Sequence, residues 1–276
     1  MRIRDLAAWS ESTLKSLRKE RPLINHITNF VAMNECANIT IAAGARPVMG
    51  HALEEAEDLT AVSRALVLNA GNATFCDWNE AMIRCGLKAS SLNLPVILDP
   101  VGYGAGPVRT RMIDRILRET PVDIVRGNLG EVGMLSGEGG RISGVDALGE
   151  QPRAIKACRT LALGSDSIVA AGGEKDLVTD GEHFFEVGAG HEYLTAITGS
   201  GCMATSMIAA WASVSGDLLS AVIGGLAHYR LAGERASFKS NGPGTFLSAL
   251  MDEVYNLQPE DLAGSFPVEE VFYEGS

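Results

Sequence analysis

The sequence predicts an α/β fold: a mostly parallel, doubly wound central sheet with helices on both faces. Three observations carry this. Short apolar runs recur at Leu66–Gly71, Pro95–Pro100, Val122–Asn128 and Ser167–Gly173, and they close on Gly, Asn or Asp. They read as strands buried on both sides, which parallel sheets covered by helices contain. Between them lie helical stretches, roughly at 55–65, 75–90, 107–119 and 150–163, and strands alternating with helices indicate a doubly wound sheet.

Taken in order, Met1 to Glu20 is charged and amphipathic and has no apolar core of a signal peptide. The stretch Pro22–Val31 mixes amides, a histidine and apolar residues, and Pro47–His51 follows a strand-like run. Beyond the four apolar runs the pattern changes. Leu177–Val187 reads as two strands around Asp180-Gly181, an antiparallel hairpin at the sheet edge. From Cys202 to about Leu257 the chain is mostly helical, with breaks near 213–217 and 240–244. The Gly-rich patch 136–144 reads as a surface loop, and the tail after Gln258 as a cap. With no linker or repeat, residues 1–276 are expected to form one domain.

Composition narrows the function. A hydrophobic fraction of 46% and a charged fraction of 21% suit a globular protein with a sizeable core. A net charge of −11 disfavours coating nucleic acid, which needs clustered Lys and Arg. No run reaches the ~18 apolar residues of a membrane span. The five cysteines form no CxxC pair, which indicates reduced thiols, and a cytoplasmic location is expected.

Chemistry concentrates where apolar runs end. In Thr198-Gly199-Ser200-Gly201-Cys202, glycines precede a helix. Glycine lets backbone amides approach an anion, and a helix N-terminus adds unpaired donors and a favourable dipole. Gly199, Ser200, Gly201 and Cys202 thus form a candidate anion hole, against the alternative of a plain glycine turn before a core helix. The chain has no GxxxxGK[ST] loop. In the first helical turn, Cys202 is expected to have a lowered thiol pKa and to take a proton from a substrate hydroxyl; the alternative is an inert buried thiol.

Two readings stand for each acid. Glu131, three residues beyond Asn128, completes a capping box or faces phosphates through Mg²⁺. Asp99, before Pro100, forms a turn or holds a cation at a strand end. Asp99 and Glu131 on neighbouring strand ends form a candidate Mg²⁺ pair. Arg126 is placed to meet a nucleotide phosphate. Met49 is either core or the lining of an apolar pocket.

Seven segments occur in fixed order: Leu23–Val31, Ala45–Met49, Leu66–Gly71, Asp99–Gly102, Arg126–Glu131, Thr198–Cys202 and Gly242–Phe246. Together they resemble the hydroxyethylthiazole kinases of thiamine salvage, in the ribokinase-like superfamily, over roughly residues 10 to 260. The resemblance implies a ribokinase-like fold. It implies ATP-dependent phosphorylation of 4-methyl-5-(2-hydroxyethyl)thiazole with Mg²⁺, and a homotrimer with active sites between subunits. It makes Asn29, Met49 and Gly199 substrate contacts, with Asn69 and Gly71 close by. It makes Arg126 and Gly172 the ATP contacts, Asp99 and Glu131 the acids near Mg²⁺, and Cys202 the residue in the place of the base. A kinase of hydroxymethylpyrimidine and a nucleotide-binding regulatory module are the alternatives. The pocket motifs favour the thiazole over the pyrimidine, and the acids and Cys202 favour an enzyme over the module. Gly172 stands where the family often has Thr or Ser, which removes a side-chain hydrogen bond to the nucleotide. Tyr103, in a place usually without an aromatic, is expected to reshape the phosphate side, and Asn25-His26 differs from the usual pair.

Overall fold

The structure is a computed structural model that describes residues 3–72, 76–139 and 151–273. Its helices are α1 (Ile3–Glu20), α2 (Met33–Ala43), α3 (Ala56–Ala61), α4 (Cys76–Ser91), α5 (Pro107–Glu119), α6 (Leu129–Leu135), α7 (Gln151–Ser165), α8 (Ser200–Ala212), α9 (Leu218–Ser237), α10 (Pro243–Asn256) and α11 (Pro259–Gly264). Its strands are β1 (Leu23–Ile27), β2 (Arg46–Val48), β3 (Ala65–Asn69), β4 (Val96–Asp99), β5 (Ile124–Asn128), β6 (Ile168–Gly172), β7 (Asp176–Thr179), β8 (Phe184–Val187) and β9 (Val268–Glu270).

These strands form one sheet in the order β2-β1-β3-β4-β5-β6-β7-β8-β9. Pairings from β2 across to β6 are parallel, and those from β6 to β9 are antiparallel. The mostly parallel α/β arrangement expected from the apolar runs is therefore present.

Strand side chains alternate between two cores, as the two-residue period requires. Val67, Ile97, Ile124, Ala170 and Val178 face one core with residues of α1, α2, α8, α9 and α10. Leu66, Leu68, Val96, Leu98, Val125, Val169 and Leu177 face the other, with residues of α4, α5 and α7. Two covered faces explain why the runs are apolar throughout.

Several expectations need correction. The β7–β8 hairpin turns through Asp180-Gly181 as expected, with Gly181 at φ 96°. The sheet, however, ends one strand further out, because β9 pairs with Phe185–Val187. The tail read as a cap therefore supplies an edge strand. Pro22–Val31 contains β1, an interior strand, and its polar residues hid it. Asn25 is fully buried, donating to Thr60 Oγ1 (3.0 Å) and accepting from Gly50 N (3.2 Å). His26 is fully buried too, with Nδ1 against the Ile24 carbonyl (3.2 Å). Residues 140–144 of the Gly-rich patch lie outside the described residues.

Among the described residues no helix is long and apolar enough to cross a membrane. Cys36, Cys85, Cys158 and Cys202 are free, buried thiols.

Candidate active site

Five parallel strands, β1, β3, β4, β5 and β6, point their carboxyl ends to one side of the sheet. Residues at or just beyond those ends are Thr28 and Asn29, Asn69, Asp99, Asn128, and Gly172. Register aligns Asn69 with Asp99 and Asn128 with Gly172. Helix α8 packs across β3, β4 and β5, which sets its first turn over these ends.

Gly199 is the N-cap of α8 with φ 77°, a left-handed conformation that glycine adopts without strain. A Cβ on it would fall 2.9 Å from the Ala32 Cβ. The first helical bond runs from Met203 N to the Gly199 carbonyl (2.8 Å), so the amides of Ser200, Gly201 and Cys202 have no intrahelical acceptor. Of the four residues Gly199–Cys202 read as a candidate anion hole, Gly199 is thus the N-cap, and the other three place their amides in the first turn of α8.

Arg126 stands beside it. On β5 its side chain alternates onto the α8 face, and a Cβ at Gly201 would collide with its Nη1. A Cβ at Gly172 would lie 2.6 Å from its Nη2. Glycine at 172 thus leaves room for the guanidinium, which no shortfall of hydrogen bonding conveys. Among the described residues no hydrogen bond or ion pair joins that guanidinium to another side chain or carbonyl. A half-buried cation beside three unpaired amides is a strong local demand for an anion.

Beneath lies a buried polar network. Asn69 Nδ2 donates to Asp99 Oδ2 (2.9 Å) and to Cys202 Sγ (3.2 Å). Its Oδ1 accepts from Asn29 Nδ2 (2.9 Å) and from Gly71 N (3.1 Å). Asn29 Nδ2 also reaches Cys202 Sγ (3.5 Å), while its Oδ1 accepts from Ala32 N (3.0 Å). Thr205 Oγ1 donates to Asp99 Oδ2 (3.0 Å). Met49 and Val101 pack against Cys202, Ala32 and Cys36. The sequence-derived residues Asn29, Met49, Asp99, Gly199 and Cys202 thus meet in one place, with Arg126 and Gly172 on the adjoining side.

Electrostatics revises the view of Cys202. Burial, then the Asp99 carboxylate, then Cys36 push its thiol well above the usual value, against smaller help from Asn29 and Asn69. The expected lowering by the helix N-terminus is overridden, and the thiol is protonated at neutral pH. Asp99 is itself raised to about 6, by burial first, with Arg126 opposing and Glu131 adding to the rise.

Of the two readings for Glu131, the capping box is present. Its amide donates to Asn128 Oδ1 (2.9 Å), and its Oε2 accepts from Asn128 N (2.8 Å), a complete capping box. Its Oε1 accepts from Gly102 N (2.8 Å), tying the loop after β4 to β5. No group of three or more His, Cys, Asp or Glu suited to a metal occurs among the described residues.

Tyr103 does not turn to the phosphate side: its hydroxyl donates to Asp114 Oδ1 on α5 (2.9 Å) and its ring packs on the second core. His51 holds the backbone of Thr28, with Nε2 3.1 Å from Thr28 N and 2.9 Å from its carbonyl. Its ring stacks on Trp78, which also meets Phe30, at centroid separations of 4.1 and 4.6 Å.

Sequence reasoning missed Thr205 and the bridging part of Asn69. Thr205 had a signal, because three residues after Cys202 it shares that helix face. It also missed Arg230 on α9, which is buried and donates to the carbonyls of Gly173 (3.3 Å), Gly188 (3.3 Å) and Glu174, 3.8 Å from Asp176. The run His228-Tyr229-Arg230 within the otherwise apolar stretch Ala221–Ala232 of α9 was the available sign, since buried polar groups need partners.

Comparison with known proteins agrees with this geometry. The family model described as the hydroxyethylthiazole kinase family matches residues 14–260. A hydroxyethylthiazole kinase of Roseiflexus castenholzii is 46% identical over 94% of this chain and 95% of its own. One from Desulforudis audaxviator is 43% identical over 98% of both chains. The solved structure of the hydroxyethylthiazole kinase from Pyrococcus horikoshii OT3 superposes with a TM-score of 0.87 at 35% identity, covering 96% of this chain and all (100%) of that one. Pyridoxal kinase from Staphylococcus aureus, solved with ADP, shares the fold at TM-score 0.59 and 17% identity, covering 77% of this chain and 87% of that one. A family match across most of the chain, over the same strand ends that gather the anion-seeking amides, Arg126 and the buried network, places this protein in the hydroxyethylthiazole kinase family.

Proposed function

We propose that this chain transfers the γ-phosphoryl group of ATP to the hydroxyl of 4-methyl-5-(2-hydroxyethyl)thiazole, within one kinase domain spanning residues 1–276. The observation that carries this is the convergence of three α8 amides and the Arg126 guanidinium, all without hydrogen-bond partners among the described residues, above the Asn29–Asn69–Asp99–Cys202 network. Such donors stabilise charge on a transferring phosphoryl group and need no rearrangement as it moves.

ATP lies with its phosphates toward Arg126 and Gly172. The alcohol enters beside Asn29, Met49 and Gly199 and points its hydroxyl at Cys202. The hydroxyl oxygen forms the new P–O bond as the bond from the γ-phosphorus to the bridging oxygen breaks, and ADP leaves with that electron pair. In a loose transition state the hydroxyl proton departs after the new bond is largely formed, and phosphate oxygens accept it. A protonated Cys202 thiol therefore orients the hydroxyl and assists, without being a strong base.

The donor set fits Mg²⁺. Asp99 at the end of β4 and Glu131 in the first turn of α6, just beyond the neighbouring β5, are hard oxygen donors. Asn69 and Thr205 both bond to Asp99 Oδ2, and each Glu131 oxygen accepts one backbone amide, which leaves lone pairs on both. Two carboxylates, with water and phosphate oxygens completing the shell, is the usual protein share for this ion. Bound there, Mg²⁺ supplies charge neutralisation at the phosphates.

A homotrimer with shared sites accords with Phe30 and Val31, 58% and 65% exposed beside Asn29, because such apolar surface suits burial by a partner. The free thiols of Cys36, Cys85, Cys158 and Cys202 and the proposed use of ATP support a cytoplasmic location.

The test is ADP release measured with and without the thiazole alcohol, followed by mass analysis of the product. Thiazole-dependent ADP and a phosphorylated alcohol are expected. ATP binding with no dependence on any alcohol would instead indicate a regulatory module, and preference for hydroxymethylpyrimidine would assign the neighbouring activity.

A further inference from the structure

We infer that Tyr229 is a positioning residue for phosphoryl transfer, orienting the Gly201 amide in the anion hole through the Ser200 peptide; this rests on the anion-hole reading above. Tyr229 lies on α9, 2% exposed, far in sequence from any motif of the site. Its hydroxyl donates to the Ser200 carbonyl (3.1 Å) and lies 3.1 Å from Ser200 Oγ, which supplies the matching donor. The two bonds close a ring around the first residue of α8.

The consequence follows from peptide planarity. The Ser200 carbonyl and the Gly201 N–H belong to one rigid plane and point in opposite directions. A hydroxyl that holds the carbonyl therefore fixes the direction of the N–H. Gly201 is the residue whose Cα faces the Arg126 guanidinium, so this amide and this cation address one anion. The Ser200 carbonyl also accepts the ordinary helix bond from Ala204 N, so the Tyr229 hydroxyl is its second donor and the one that ties this peptide to α9. The N-cap, Gly199, has no side chain to hold its helix, and no side-chain cap bond is present. Burial holds the Tyr229 phenol above its usual pKa, so it stays a donor throughout the working pH range. Preorganisation matters here because a donor that must reorient during transfer loses part of its effect.

Replacing Tyr229→Phe removes one oxygen and keeps the ring in its core. Steady-state kinetics, affinity for ADP, and affinity for ADP with aluminium fluoride and the thiazole alcohol are measured in wild type and variant, together with melting temperature. Aluminium fluoride stands in for the transferring phosphoryl group, and such analogues report transition-state binding. The expected result is kcat lower by about fivefold to tenfold, the effect of one hydrogen bond. Both KM values and ADP affinity stay within about twofold, and the aluminium fluoride complex weakens by the same factor as kcat. An unchanged kcat and an unchanged fluoride complex overturn the role of Tyr229 while leaving the anion hole intact. Equal losses in ADP affinity, fluoride affinity and melting temperature assign Tyr229 a structural part only and overturn the inference as well. If wild type binds ADP with fluoride no more tightly than ADP alone, the anion-hole reading itself fails, and the role of Tyr229 falls with it.

Discussion

Replacing Asn69 with leucine tests the buried network at its centre. Asn69 is 1% exposed and all four of its amide bonding positions are occupied: Asp99 and Cys202 receive its hydrogens, Asn29 and Gly71 donate to its oxygen. Leucine fills a similar volume and makes none of these bonds. Asp99 Oδ2 keeps only Thr205 among these side-chain donors, a charge-assisted loss of about 2 kcal/mol. The half-buried Gly71 amide is left without its acceptor, about 1 kcal/mol more. Asn29 retains its contact to Cys202 at 3.5 Å, so its share is small. The sum is about 3 kcal/mol, which shifts a urea midpoint by about 1 M for a chain of this size. Urea unfolding followed by tryptophan fluorescence measures it, and kcat is expected to fall at least about tenfold because Asp99 and Cys202 lose their common anchor. A midpoint shift below about 0.3 M with kcat intact would show that the network neither supports the fold nor sets the site.

Three further outcomes follow from the same structure. Gly201→Ala drives a Cβ into the Arg126 Nη1; the flexible guanidinium yields, so stability changes by less than about 0.5 kcal/mol while KM for ATP rises about tenfold, and an unchanged KM refutes Arg126 as a nucleotide contact. Cys202→Ala keeps measurable turnover, because the buried thiol is protonated and a loose transition state asks little of a base; complete loss in a folded variant refutes an assisting role. His26 is held neutral by burial, lowered to about 4. The unfolded chain then takes up the proton first as pH falls, so its contribution is full above about 6.5 and is lost by about 4, roughly 3 kcal/mol in all. His26→Gln should therefore flatten the decline of stability between pH 7 and 4.5 by about 2 kcal/mol, and parallel declines refute the assignment.

Much of the site was legible because its residues sit at strand ends, and strand ends show in sequence. Asn69, Asp99, Arg126 and Gly172 each close or nearly close an apolar run, and a parallel sheet collects such ends on one side. The glycine segment before α8 was legible for a related reason: a left-handed N-cap and close contact with Ala32 and Arg126 leave no room for a side chain. The strand β1 was not legible, because Asn25 and His26 interrupt its apolar pattern; their partners, Thr60, Gly50 and Ile24, are found only after folding. The same holds for β9, three residues that become a strand because β8 presents an open edge.

What the amino-acid order alone determined was the alternation of buried strands and helices, and with it which end of the sheet would carry chemistry. The tertiary structure decided what those residues are once assembled. Position near a helix N-terminus argued for a reactive Cys202 thiolate, yet a thiol sealed beside a carboxylate loses more from desolvation and repulsion than a helix dipole returns. Gly172 looked like a missing hydrogen bond and is the space into which Arg126 fits. Tyr229 and Arg230 show in sequence only as polar residues in an apolar stretch, and α9 packing beside α8 decides what they touch. Charges, desolvation and second partners depend on distances between segments far apart in the chain, and folding alone sets those distances.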